Sequence, residues 1–255
     1  MDILTSKADG IFTIEFNRPE KKNAITQAMY QMMGDAIAAA ERDPEIRAIL
    51  IQGKPEIFTA GNALEDFQVD AAPDLETRPA THFMRQLSGA TKPVIAAVAG
   101  AAIGIGTTML VHCDIVYAAD NAKFSLPFAP LGLCPEFGSS YLLPKIVGNQ
   151  RAAEMLLLGE GFSAEEAYEM GFVSRVVPAM ELHEFARMQA AKLVALPASS
   201  LRVTKRLLKS GQAKAVQERI AEENRQFAAM LASPEATEAF AAFFEKRRPD
   251  FKKFA

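Results

Sequence analysis

Cysteine, histidine and net charge are all scarce in this chain. Its 255 residues include two cysteines, Cys113 and Cys134, too few for a disulfide framework. Both lie in apolar sequence and read as reduced core residues of a cytosolic protein. The three histidines, His82, His112 and His183, form no HxxxH pattern, and no CxxC accompanies them, so no metal site is expected. A formal charge of −3 provides no global basic field for nucleic acid. A local basic patch for a phosphorylated small ligand stays open.

An uninterrupted hydrophobic span is also missing. The longest apolar run, residues 93–112, is broken by Gly100, Gly104 and Gly106 and runs into Cys113-Asp114. It reads as a buried strand, a turn and a helix rather than a membrane segment. The first sixteen residues mix charges with apolar side chains and hold no signal-peptide core. The final Lys253-Phe254-Ala255 matches no peroxisomal or prenylation tail. A cytoplasmic location is expected.

Apolar residues make up 49% of the chain and charged residues 23%, which is globular usage. A chain of this length buries enough surface to fold without a staple. Residues 11–16 alternate as a strand, with Phe12, Ile14 and Phe16 on one face. Thr26 is placed to cap a helix over 26–41, where Met29, Met33, Ile37 and Ala40 recur at helical spacing. Strands are expected at 47–52, 94–98, 115–117, 122–125 and 173–177. Ser163 and Glu166 form a capping-box pattern, and helices are expected over 181–196, 199–209, 213–231 and 235–246. The segment 69–80, with three acids and two prolines, reads as a loop, either a lid or solvated surface. The pattern is α/β, with a core over residues 1–194 and a helical region over 195–255.

Two segments put backbone N–H groups where side chains are small: Phe58-Thr59-Ala60-Gly61-Asn62-Ala63-Leu64 and Gly100-Ala101-Ala102-Ile103-Gly104-Ile105-Gly106. The second precedes residues 107–113, expected to be helical. A glycine-rich turn opening a helix presents free N–H groups to a phosphate, a carboxylate or an oxyanion. Tight packing alone would produce the same composition. The spacing is neither a Walker loop nor a dinucleotide fingerprint.

Taken with Lys92-Pro-Val-Ile-Ala-Ala-Val, Cys113-Asp114-Ile-Val-Tyr-Ala and the N-terminal Asn17-Arg18-Pro19 with Asn23-Ala24, the pair resembles the crotonase (enoyl-CoA hydratase/isomerase) superfamily. The resemblance implies a ββα spiral core with a C-terminal helical trimerisation region, in a homotrimer or a dimer of trimers. It implies an acyl-CoA thioester as ligand, with coenzyme A part of the substrate and no separate cofactor. Neither nucleic acid nor membrane is an expected partner. The thioester oxygen would be held by the N–H groups of Asn62 and Ile105, with Ala60, Gly61, Ala63, Leu64 and Gly104 as further substrate contacts. Many relatives carry glycine at the slot of Ile105 and Asp at that of Ala63; a backbone donor needs neither.

Hydratases of this superfamily use two glutamates, and here their slots hold Thr108 and Phe128. Leu131-Gly-Leu-Cys-Pro-Glu136-Phe-Gly-Ser-Ser140 instead resembles the base-bearing segment of peroxisomal-type Δ3,Δ2-enoyl-CoA isomerases. Glu136 would be a single base in an apolar pocket, its pKa raised. The alternative is a solvated or helix-capping acid. Other activities on CoA thioesters and a non-catalytic thioester-binding role also remain. Glu65, Asp66, Asp74 and Glu76 are weaker acidic candidates. Arg18, Lys21, Lys22, Lys252 and Lys253 are candidates for the CoA phosphates, solvated surface being the default for each.

Overall fold

The computed structural model describes residues 1–64 and 78–254. Strand β1 (Ile3–Ala8) turns through Asp9 and Gly10, both at positive φ, and returns antiparallel as β2 (Ile11–Phe16). Helix α1 (Gln27–Arg42) follows. The Thr26 hydroxyl accepts the Met29 N–H at 3.3 Å, and Met29, Met33, Ile37 and Ala40 are buried as their spacing predicts.

The chain then runs as pairs of strands. β3 (Ala48–Gln52) is followed by β4 (Ile57–Thr59), β5 (Val94–Val98) by β6 (Ala101–Ile103), and β7 (Ile115–Ala119) by β8 (Lys123–Ser125). The first of each pair enters a six-stranded sheet that is parallel apart from β1, and the second enters a four-stranded sheet. With β9 (Phe162–Ser163) and β10 (Arg175–Val177), the orders are β1-β2-β3-β5-β7-β10 and β4-β6-β8-β9. Helices α2 (Pro79–Gly89), α3 (Ile105–Thr108), α4 (Ser139–Val147), α5 (Asn149–Leu158) and α6 (Ala164–Glu169) connect these strands.

The strand period of two explains the layering. Ile49, Ile51, Val94, Ala96 and Val98 face the main core. Leu50, Ile95 and Ala97 face a second core closed by Leu182, Ala186 and Ala190 of α7 (Leu182–Val194). A sheet covered on both faces reads as continuous apolar runs, which is why 94–98 shows no alternation.

Three expectations need correction. Residues 100–106 are not simply a turn: β6 lies within them, and only the flanking Gly100 and Gly104 take positive φ. At 173–177 only Arg175–Val177 is strand. Of the expected 69–80 loop, residues 69–77 lie outside the described residues, and Pro79 and Ala80 open α2 behind Arg78.

The C-terminal helices are α8 (Ala198–Ser210), α9 (Ala213–Leu231) and α10 (Pro234–Phe244). Phe227, Met230 and Leu231 pack against the main core, and Phe240 lies within it. Those side chains are therefore engaged within the chain, whereas Phe243 and Phe244 are 58% and 44% exposed. Helix α8 buries one residue, Lys205, whose ammonium reaches Asp114 at 2.7 Å and the Lys92 carbonyl at 2.6 Å.

Candidate active site

The N-terminal motif fixes the first small-residue segment. Asn23 is fully buried; its amide donates to the Ile57 and Phe58 carbonyls, and its Oδ1 accepts the Arg18 N–H at 2.7 Å. Residues 60–63 then lie along 22–25. Ala60 donates to Lys22 O, Ile25 to Gly61 O and Ala63 to Ile25 O, all between 2.8 and 2.9 Å. The Asn62 N–H takes no part in that ladder. Its side chain is held separately, with Oδ1 accepting the Tyr30 hydroxyl at 2.5 Å.

Gly61 makes the approach to β6 possible. Its φ is +85°, and a Cβ there would lie 2.6 Å from the Ile103 carbonyl. Gly104, at φ 54° and ψ −118°, redirects the chain into α3. The Ile105 side chain is fully buried, which leaves its backbone as the part able to meet a ligand. Among the described residues, neither the Asn62 nor the Ile105 N–H donates to an acceptor. Two donors left open beside glycine turns suit an oxygen that gains negative charge.

A cleft of about 590 Å³ opens over these segments. Ala60, Gly61, Asn62, Ala63, Leu64 and Gly104 line it, with Phe128 and Phe227 on its apolar side. Ile105 lies below this surface. Arg18 and Lys21 stand on the cleft wall, whereas Lys253 is paired with Glu238 at 2.7 Å. Lys22 contributes its carbonyl to the ladder, and the Lys252 N–H is bonded to Asp250.

A smaller chamber of about 70 Å³ shares Asn62 and Phe227 with the cleft and contains Glu136. Glu136 is 3% exposed. Burial pushes its carboxyl up to about 8, opposed by a hydrogen bond from the Thr108 hydroxyl and reinforced by the nearby Glu223 charge. Glu136 is thus neither solvated nor a helix cap. Thr108, at one of the two hydratase glutamate slots, holds this acid instead, and Phe128, at the other, packs edge-on against Phe227. Among the described residues, Glu136 is the only carboxylate lining either cavity. Glu65, Asp66, Asp74 and Glu76 lie outside the described residues.

The turn after Glu136 is unusual. Phe137 takes φ 59° and Gly138 φ 71°, two left-handed residues in succession. A buried aromatic residue in that region is strained and needs support from its surroundings. The Phe137 ring stacks on His112 at 4.0 Å, and its carbonyl lies 2.6 Å from His112 Nε2. Burial lowers the His112 pKa to about 3, so the ring is neutral, and the Phe137 carbonyl selects the tautomer with hydrogen on Nε2.

The acid that caps α4 was not foreseen. Glu223, from α9, accepts the N–H groups of Gly138 and Ser140 and the Ser140 hydroxyl. It is 85 residues from Gly138 in sequence, and no local pattern marks it.

A family model described as enoyl-CoA hydratase/isomerase matches residues 6–254. The chain belongs to the enoyl-CoA hydratase/isomerase family. Relatives in this family include the 2,3-dehydroadipyl-CoA hydratase of Escherichia coli strain K12, 34% identical over 98% of both chains. The 1,2-epoxyphenylacetyl-CoA isomerase of the same organism is 35% identical over 98% of this chain and 97% of its own length. Enoyl-CoA delta isomerase 2 of Homo sapiens is 34% identical over 96% of this chain and 64% of its own. The crystal structure of an enoyl-CoA hydratase/isomerase from Pseudoalteromonas atlantica T6c superposes with a TM-score of 0.94 at 37% identity, covering 98% of this chain and all of that one. The crotonase-like α/β fold with its helical C-terminal region is therefore that of the enoyl-CoA hydratase/isomerase family. Among the described residues, no helix is long and apolar enough to cross a membrane.

Proposed function

We propose that the protein is a Δ3,Δ2-enoyl-CoA isomerase that moves a C3 double bond to C2 of an acyl-CoA by shuttling one proton on Glu136. The observation that carries this reading is the buried carboxyl of Glu136, among the described residues the only one lining a chamber that shares Asn62 and Phe227 with the cleft. The Glu136 carboxylate takes a proton from C2. The electron pair delocalises as a dienolate whose oxygen accepts the N–H groups of Asn62 and Ile105, and the acid returns the proton to C4. Each such donor is typically worth roughly 10²–10³ in rate. Ala60, Gly61, Ala63, Leu64 and Gly104 flank the thioester. No resident cofactor is required, coenzyme A entering with the substrate.

Hydration by a pair of glutamates is disfavoured, because Thr108 and Phe128 occupy both slots. With Glu136 held near 8, the base is mostly protonated at neutral pH. Turnover should rise with pH until the carboxylate predominates. The test follows the ultraviolet absorbance of a 3-enoyl-CoA as it becomes the conjugated 2-enoyl ester. Glu136→Gln should bind the ester and lose roughly 10²–10⁴ in turnover. Wild-type turnover in that variant would refute the assignment.

The same reading includes a cytoplasmic homotrimer or dimer of trimers. Val203, Leu207 and Leu208, exposed along α8, support self-association. Light scattering should give a mass of three or six chains, and a monomer at micromolar concentration would contradict it.

A further inference from the structure

Glu136 can act on a substrate only if its side chain is held in the chamber, and its own segment supplies one local tie, the Ser139 hydroxyl and N–H on the Glu136 carbonyl at 2.6 and 3.1 Å. The segment leaves β8, passes Pro135 and reverses through the left-handed pair Phe137 and Gly138 before α4 begins. Gly138 at the N-cap has no side chain with which to satisfy the first N–H groups of α4. The Ser139 N–H turns back to the Glu136 carbonyl, and the Gly138 and Ser140 N–H groups need an acceptor from elsewhere.

Glu223 supplies it. The carboxylate is 4% exposed and divides its oxygens, with Oε2 on the Gly138 N–H and Oε1 on the Ser140 N–H at 3.0 Å and the Ser140 hydroxyl at 2.6 Å. All three partners are donors, so the ionised form is the one that fits. On the same helix, Phe227 walls both cavities, and Asn224, Ala228 and Leu231 line the chamber. Helix α9 therefore positions the wall of the chamber and the turn that carries the acid together.

We propose that Glu223 is a positioning residue for Glu136: by clamping Gly138 and Ser140 it fixes the left-handed turn that aims the Glu136 carboxyl at Thr108 and the chamber. This assignment rests on the isomerase reading for its kinetic consequence, but its structural consequence does not. Glu223 also places a negative charge near Glu136 and opposes its ionisation. The other ionisable groups around the acid are Arg219 on α9, close to Ser140; His112 beneath Phe137; Cys134 in the preceding segment; and Arg78 and Tyr30 on the chamber wall. Among these, Glu223 alone joins a direct clamp on the turn to a charge that raises the Glu136 pKa.

Glu223→Gln keeps the shape, removes the charge and turns one acceptor into a donor facing an N–H group. Two readouts separate the possibilities. The first is the infrared carbonyl band of protonated Glu136, identified by its loss in Glu136→Gln and titrated with pH. In Glu223→Gln this band should disappear at lower pH than in the wild type. The second is 3-enoyl-CoA isomerisation, where kcat should fall roughly 10- to 100-fold, the scale of a displaced catalytic group, while KM stays within about threefold. An unchanged titration with an unchanged kcat would overturn the proposal, and so would an equal loss in kcat and affinity with an unmoved band. Should Glu223→Gln fail to fold, Ser140→Ala removes one of the three donors and keeps the charge. It should lower kcat several-fold at constant KM, and no change would overturn the clamp. A wild type that shows the band but no isomerisation would refute the isomerase reading alone; the positioning role would still be supported if Ser140→Ala, which keeps the Glu223 charge, also moved the band, and overturned if it did not.

Discussion

Thr108 and Glu136 form the pair on which the proposed chemistry turns at the scale of single residues. The Thr108 hydroxyl donates to the carboxyl and stabilises its charged form against the cost of burial. A hydrogen bond to a charged group is worth about 1.5–3 kcal/mol, or roughly one to two pH units of ionisation. Thr108→Val, similar in shape without the donor, should move the rising limb of the pH–rate profile above its wild-type midpoint near 8. Turnover at neutral pH should drop roughly tenfold and recover in alkaline buffer. A loss of several orders of magnitude that no pH restores would mean that Thr108 takes part in proton transfer directly. Both residues were singled out through the family resemblance, Glu136 by the isomerase-like segment around it and Thr108 by the hydratase glutamate slot it fills. Their contact was not, because they lie 28 residues apart and on different elements.

The elements were legible where their periodicity is long and hidden where they are short. Thr26 with Met29, Met33, Ile37 and Ala40 marks α1 without ambiguity, and the capping box of Ser163 and Glu166 opens α6 as its pattern indicates. β4, β6 and β9 have three, three and two residues, too few for alternation to register. Within 100–106 the glycines mask β6, whose pairing with β4 and β8 is a property of the sheet rather than of its own residues. Close approach between these strands depends on Gly61. In Gly61→Ala, the methyl group would meet the Ile103 carbonyl at a residue that must keep a φ of +85°. The variant should lose on the order of 1–3 kcal/mol in denaturant unfolding and bind acyl-CoA more weakly. Equal stability and affinity would show that the two segments can separate at no cost. Ser163→Ala serves as the contrast: it should cost about 1 kcal/mol and leave turnover alone.

Two buried titratable groups shape the pH dependence of the whole molecule in opposite directions. Glu136 is raised to about 8, so the folded state holds its proton more tightly than the unfolded chain between the usual glutamate range and that value. Its contribution is complete below the unfolded pKa and fades as pH rises, by up to about 1.4 kcal/mol per pH unit. His112 is depressed to about 3, so its contribution is present above the unfolded histidine pKa and fades as pH falls below it. Glu136→Gln should therefore gain thermal stability over the wild type as the buffer moves from pH 5 to pH 9. A constant difference in Tm across that range would place the Glu136 titration elsewhere. At this scale the change near residue 195 is one of composition and not a seam in packing. Val216, Ile220, Ala236 and Phe240 belong to the same apolar core as Ile14 and Val94. The two segments proposed to bind the thioester oxygen, and Glu136 with them, all precede residue 140, yet the carboxylate that caps the turn after Glu136 arrives only with α9. A chain that ends before α9 would lack both that carboxylate and Phe227, which walls the cleft and the chamber alike.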